Sequence, residues 1–223
     1  MQNLYRRIAA GTFGGLFVLA LSGAPMSRAH AQDTSQNERL AYAVMYGGLH
    51  VGDAVVELRQ TPTSYTTGLK LTTRGVAKWL REFRADLSGQ GSISDDPTRP
   101  LPAAFRREWK GTEFASSMVM TYHPETRMTE TQEKYVNVET GEEVKREDLP
   151  WNKNDRRRDR DKPVPTEMQA DALDPMAAFV AARHQIMEQG AGKKPVTFRV
   201  PIYDGQRRYD VVGKTTEART VTV

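Results

Sequence analysis

Two aspartates sit where a turn would present them to a substrate: Asp53 follows Gly52, and Asp204 precedes Gly205. With Glu57 or Glu108 as partner, either would supply the two carboxyl groups that glycosidases use, one as acid and one as base or nucleophile. Asp beside Gly is also ordinary turn chemistry, which accounts for both positions without a reaction. Past residue 31 the histidines are His50, His123 and His184, and no spacing among them marks a metal site. His184 follows Arg183 on what reads as a helix surface. The chain has no cysteine, which excludes thiolate chemistry, disulfides and a lipid-modified cysteine. It also lacks H-E-x-x-H, G-x-S-x-G and a P-loop. These residues name no catalytic set, no metal and no cofactor, and they point away from an enzyme.

The element most able to position a site is the run D-A-L-D-P-M-A-A-F-V-A-A-R-H-Q-I-M-E-Q-G, residues 171–190. Asp174 is a good N-cap, and Pro175 fits the first helical position, where its missing N–H costs nothing. Gly190 offers a stop, so a helix is expected over residues 174–188. Leu173, Met176, Phe179, Val180, Ile186 and Met187 fall on one side at helical spacing, with alanines between them that keep that side slim. Almost everything else past residue 31 reads as strand, so this helix must bury its stripe against a sheet, and a curved one would hold it best. The fold expected is mainly β: a curved antiparallel sheet with one helix packed on its concave face.

Alternation and turn residues set out the strands. Residues 39–46 and 49–59 flank Gly47-Gly48 as a hairpin, with Gly52 marking a bulge or close backbone approach. A third strand runs over 64–73 and a fourth over 83–93, where Gly89 and Gly91 read as kinks that help a sheet curl. Between them, Val76, Trp79, Leu80 and Phe83 recur at helical spacing, predicting a short helix or bent corner. Trp79 and Leu80, flanked by Lys78, Arg81 and Arg84, read as a core plug or a rim that meets a membrane or partner. Strands follow over 103–110, 114–122 and 127–138, with Phe105, Arg107 and Trp109 on one face. After the helix come strands 195–201 and 207–213, with Asp204-Gly205 expected at the centre of a tight hairpin, and a last strand at 215–223.

Residues 1–31 read as a cleaved signal peptide: Arg6 and Arg7, a short apolar core over 13–21, and Ala29-His30-Ala31 before the expected cut. The apolar core is too short for a comfortable membrane span, and no later one appears. The expected location is the periplasm. Arg6, Arg7 and Arg28 leave with that segment and no acidic residue does, so 29 basic face 28 acidic residues, a net of +1. The basic isoelectric point of the whole chain therefore gives no case for nucleic acid. Residues 32–38 read as a disordered polar arm and 39–223 as a single domain, long enough for a core without disulfides. Within it, residues 145–162 hold eight basic and five acidic side chains and read as a solvated loop, with Trp151 as the one residue able to anchor it.

A set of short motifs carries a resemblance. They are Y-G-G-L-H-V-G at 46–52, T-R-G-V at 73–76, the strand from Phe83 to Gly91 with P-A-A-F at 102–105, L-D-P-M-A at 173–177, and V-P-I-Y-D-G-Q-R-R-Y at 200–209. Together they resemble the bacterial envelope family called domain of unknown function 3108. The resemblance implies an exported β-spiral or half-barrel, similar to the lipoprotein-localisation carriers and to a periplasmic envelope-integrity protein. It implies architecture more than activity. The function expected is a non-catalytic envelope protein supporting cell-envelope integrity. A lipid or other apolar ligand, or an envelope protein, would meet the concave face at Leu173, Met176, Phe179 and Val180, with Trp79 and Leu80 as rim. The alternatives are a glycan hydrolase using the carboxylates above, and a scaffold that docks a partner through residues 145–162.

Overall fold

The computed structural model describes residues 35–75, 78, 82–126, 128–153, 164–189 and 195–215. Eight strands form one antiparallel meander: β1 (Gln36–Tyr46), β2 (Leu49–Gln60), β3 (Ser64–Thr73), β4 (Arg84–Ser92), β5 (Leu101–Lys110), β6 (Phe114–His123), β7 (Met128–Asn137) and β8 (Glu143–Val144). Each strand pairs with the next, so order in the sheet is order in the chain. Among the described residues β1 does not pair with β8, and the sheet is curved and open. Its two faces follow the alternation of side chains. Ala54, Val56 and Leu58 of β2 are buried, and Glu57 and Arg59 at alternate positions are exposed. The cross-strand register carries the inner row onward, from Leu58 to Thr67 to Gly89 to Phe105 to Met120.

Among the described residues after β8, a short 3-10 turn at Arg146–Asp148 leads to three α-helices: α1 (Pro150–Lys153), α2 (Thr166–Gln169) and α3 (Pro175–Glu188). Among the described residues a second antiparallel sheet holds β9 (Thr197–Tyr203) and β10 (Arg208–Lys214). Helix α3 starts as its sequence dictates. Asp174 stays extended, and its Oδ1 accepts the Met176 and Ala177 N–H groups at 2.8 and 2.9 Å. Met176, Ala177, Ala178, Val180 and Ala181 are buried, and the helix packs between β9 and strands β3 to β5. The alanines allow this close approach. Each large side chain on the stripe adds about 1.5–3 kcal/mol by leaving water.

The seat of the helix is Gly89. A Cβ there would lie 2.7 Å from Met176 Cβ and 3.1 Å from Thr67 Oγ1. Any side chain would hold the helix off the sheet. Gly89 therefore serves close packing, and the irregularity in the ladder lies between Gln90 and Gly91.

Three expectations need correction or lie elsewhere. Of residues 32–38, read as a disordered arm, Gln36–Glu38 belong to β1, where Gln36 pairs with Gln60 and Glu38 forms an ion pair with Arg183. The Asp204-Gly205 turn is a four-residue loop between Tyr203 and Arg208, not a two-residue one. Asp204 Oδ1 accepts the Gln206 and Arg207 N–H groups, so the side chain closes a longer loop than backbone pairing alone would favour. Trp79 and Leu80, Gly190, residues 154–162 of the charged loop and all but Thr215 of the strand expected at 215–223 lie outside the described residues.

Candidate functional site

The inner face of the sheet is covered by the chain's own C-terminal segment. Leu173 extends the small sheet by a parallel bridge: its N–H donates to the Pro201 carbonyl at 3.0 Å, and the Leu173 carbonyl accepts the Tyr203 N–H at 2.9 Å. Met176 packs with Phe105, Met118, Met120 and Tyr203. Val180 packs with Leu58 and Tyr65, flanked by Leu173 and Phe179. Leu173, just before the helix, and Met176, Phe179 and Val180 on it, the residues expected to meet a ligand, pack with core side chains of the protein's own sheet.

This covering segment, described over residues 173–189 and 195–215, fills the inner face of the sheet and is called the plug below. Among the described residues no backbone hydrogen bond joins it to β1–β8. Side chains hold it instead. Arg183 bridges to Glu38 and Gln36 on β1, and Gln60 Nε2 donates to His184 Nε2 at 2.9 Å. At the far end Gly205, with φ +90°, presses on Met118, where a Cβ would lie 2.5 Å from the sulfur. Gln206 Nε2 donates to Glu133 Oε2 at 2.7 Å and to the Tyr135 hydroxyl at 3.0 Å.

Under the start of α3 lies a buried polar nest. Asp174 is fully buried, and its Oδ2 has no hydrogen-bond partner, nor do the buried hydroxyls of Tyr65 and Tyr122. Burial pushes the Asp174 carboxyl up to about 6, against the backbone N–H groups of Ala177 and Met176, which favour its charged form. The Tyr122 hydroxyl approaches closely enough to favour the charge as well, without a well-formed hydrogen bond to Oδ2. Burial, then the Asp174 charge, raises the Tyr65 and Tyr122 phenols far above their usual range, so both stay neutral.

A second polar cluster lies toward β7. Arg107 Nη2 donates to Glu133 Oε1 at 2.7 Å, the Ser116 hydroxyl donates to the same oxygen at 3.2 Å, and Arg146 reaches Gln206 at 3.2 Å. Beside it Phe83 stacks on Trp109, and Trp109 meets Tyr135 and Trp151. Trp151 also meets Phe114 edge-on, and Leu149 is fully buried, so Trp151 does anchor the start of the charged loop. The ion pair was missed as a site element. Its signal was an arginine between Phe105 and Trp109 on a face otherwise apolar.

The carboxylates considered for hydrolysis separate. Asp53 binds Arg74 at 2.6 Å and His50 at 2.8 Å, and hydrogen bonds from Arg74 and then His50 hold it below the usual carboxylate range. Asp204 closes its own loop. Glu57 and Glu108 do line one groove of about 460 Å³ on the outer face, with Asp86, Lys70 and Arg106. His123 lies 3.8 Å from Glu130, and His184 is engaged by Gln60. Among the described residues no group of three His, Asp or Glu side chains could hold a metal ion, and no helix is long and apolar enough to cross a membrane.

These features define an open antiparallel meander whose inner face is filled by a helix and hairpin from the same chain. Residues 41–223 match the family model described as "Protein of unknown function (DUF3108)", and the chain belongs to that family. No curated protein and no solved structure matches it.

Proposed function

We propose that this chain is an exported, non-catalytic envelope protein that supports envelope integrity and offers the inner face of its sheet to an apolar or amphipathic ligand when the plug yields. One observation carries the reading: among the described residues no backbone–backbone hydrogen bond joins the plug to the sheet, whereas the strands beneath it are joined to one another by antiparallel ladders. Side-chain docking can be exchanged for a ligand without breaking the sheet. The surface beneath includes Phe105, Met118 and Met120, and methionine adapts readily to a lipid chain. Native mass spectrometry of protein purified from cell envelopes should find a bound lipid. Adding fatty acid or phospholipid to stripped protein should raise its melting temperature, as any ligand of the folded state must. Ligand-free protein with an unchanged melting temperature would make the plug permanent core.

A glycan-hydrolase reading draws on the outer groove, where Asp86 and Glu108 are cross-strand partners and Glu57 lines the same wall. Unchanged release of reducing ends from envelope glycans by the Glu108→Gln variant would remove it.

A further inference from the structure

We propose that the free edge of β1 pairs with β1 of a second copy of this chain, antiparallel and two-fold about Ala43, so that two sheets join into one. This pairing stands whether or not the plug yields.

Among the described residues β1 pairs with β2 alone, so its other edge presents a row of backbone N–H and C=O groups. Proteins guard such edges with charge, proline, shortness or a bulge in the edge strand itself. Other edges of this molecule show those guards. β8 is two residues long, and β10 carries Arg208, Asp210 and Lys214 among its seven residues. β1 has eleven residues, and its stretch L-A-Y-A-V-M-Y, residues 40–46, holds no charge and no proline. Where the β1–β2 ladder shifts register, the extra residue is Val51 on β2, so the edge strand stays regular. The plug also gives little cover here. Leu40, Tyr42 and Val44 lie on the inner face, because they pair with the buried Val56, Ala54 and Gly52. Yet Leu40 and Tyr42 are only half-buried, and Val44, Met45 and Tyr46 are exposed, Tyr46 by 78%. Arg183 of the plug reaches β1 at Gln36 and Glu38, before this stretch begins.

The stretch fits a second copy of itself. A two-fold interface must be self-complementary. Antiparallel pairing about Ala43 sets Leu40 against Tyr46, Ala41 against Met45 and Tyr42 against Val44 of the second copy, so every residue of the uncharged stretch meets an uncharged one. Leu40, Tyr42, Val44 and Tyr46 share one face by alternation and form a single apolar row across the join. On the other face the small Ala41 and Ala43 leave room for Met45. Moving the centre to Tyr42 would set Glu38 against Tyr46 and Arg39 against Met45, bringing charges into apolar pairs. Moving it to Val44 would run the pairing into the Gly47-Gly48 turn, where both glycines have positive φ.

Sedimentation and cross-linking of the full chain test this. The mass should rise from monomer toward dimer between about 1 and 100 µM, because one strand pair of this length is a small interface. Ala43→Lys sets two lysines opposite each other at a side chain that is exposed in the single chain. Asp53, its cross-strand neighbour on β2, is already committed to Arg74 and His50. The variant should weaken association about fivefold or more and leave the melting temperature of the dilute chain unchanged. The chain has no cysteine, so single cysteines report the register without background. Under mild oxidation Ala43→Cys should give a disulfide-linked dimer, since opposed Cα atoms lie about 4.5–5.5 Å apart. Ala41→Cys should not, because residue 41 of one copy is displaced from residue 41 of the other by about 13 Å along the strands. A chain that stays monomeric at about 100 µM overturns the pairing. So does a dimer that Ala43→Lys leaves unmoved, or equal cross-linking at 41 and 43, since either places the contact elsewhere.

Discussion

The inner face of this sheet buries two carboxylates in opposite ways. Glu133 has Arg107 and Ser116 on one oxygen and Gln206 on the other. Asp174 has two backbone N–H groups on one oxygen and nothing on the other. Glu133 keeps a sliver of exposure, 11% of its side chain, whereas Asp174 has none. An ion pair with hydrogen bonds on both sides fixes a charge, and removing either partner strands the other. A carboxylate held only by dipoles in a dry site can give up its charge when a proton is available. The difference also sorts the plug into two ends. The Gln206 end is tied to a permanent network, and the Asp174 end to a group that titrates near neutrality.

The largest effect should come from breaking the permanent network. Glu133→Ala leaves Arg107 half-buried without its partner and should cost about 3 kcal/mol in urea unfolding, somewhat below the full penalty for a wholly buried pair. Glu133→Gln keeps acceptor and shape and should cost less. A loss below about 0.5 kcal/mol for Glu133→Ala would place this pair with surface ion pairs. Next comes the seat. Gly89→Val forces a branched side chain into the position now taken by Met176 Cβ and should cost about 2–3 kcal/mol as overpacking. Because it lifts α3 and not the loop at Gly205, exchange should rise at residues 174–181 before it rises at 200–203.

Much of this was legible in the residues. Alternation and glycine turns gave the meander, and Asp174-Pro175 gave the start of α3, because local propensity and tertiary structure agree there. The buried stripe was legible too, since alanines alternating with Met176 and Val180 have no use on a solvated helix. The permanent network was hidden. Arg107 and Glu133 lie on strands separated by β6, and only register sets them face to face. The loop at Asp204 was misread because a side-chain oxygen satisfied two amides that a shorter turn would not have had to spare. The nest around Asp174 was invisible for a similar reason. Tyr65 and Tyr122 approach it from strands far apart in sequence, and Gly89 clears the room.

The Asp174 end should show itself as a gain. Asp174→Asn removes a buried charge and keeps the cap, so at about pH 7.5 the variant should be more stable than wild type by about 1–2 kcal/mol. At about pH 4 the two should coincide, because the wild-type carboxyl is then neutral as well. Thermal unfolding at both pH values checks this. A variant less stable than wild type at both would mean that Oδ2 is served by groups specific to a carboxylate.

The smallest effect lies at the other end of the same helix and runs the opposite way. With Gln60 Nε2 as the donor, His184 accepts with Nε2 and is neutral in the contact. Burial, and then the Arg183 charge, lowers the His184 value below the ordinary 6.5, with Glu188 opposing. A histidine lowered on folding contributes stability that is present above its ordinary value and lost as pH falls. Acid therefore fastens α3 at Asp174 and loosens it at His184, and the wild-type profile between about pH 5 and pH 6.5 should be flatter than either group alone would give. His184→Gln can still accept from Gln60 but does not titrate. It should melt with wild type at about pH 8 and about 1 °C above it at about pH 5, a small margin because the ring is half-exposed and screened. Adding Asp174→Asn should then leave α3 with no titrating group of this kind at either end and a profile flatter than that of either single variant. If His184→Gln instead follows wild type at every pH, the Gln60 contact does not persist in solution, and the whole pH response of the plug belongs to Asp174.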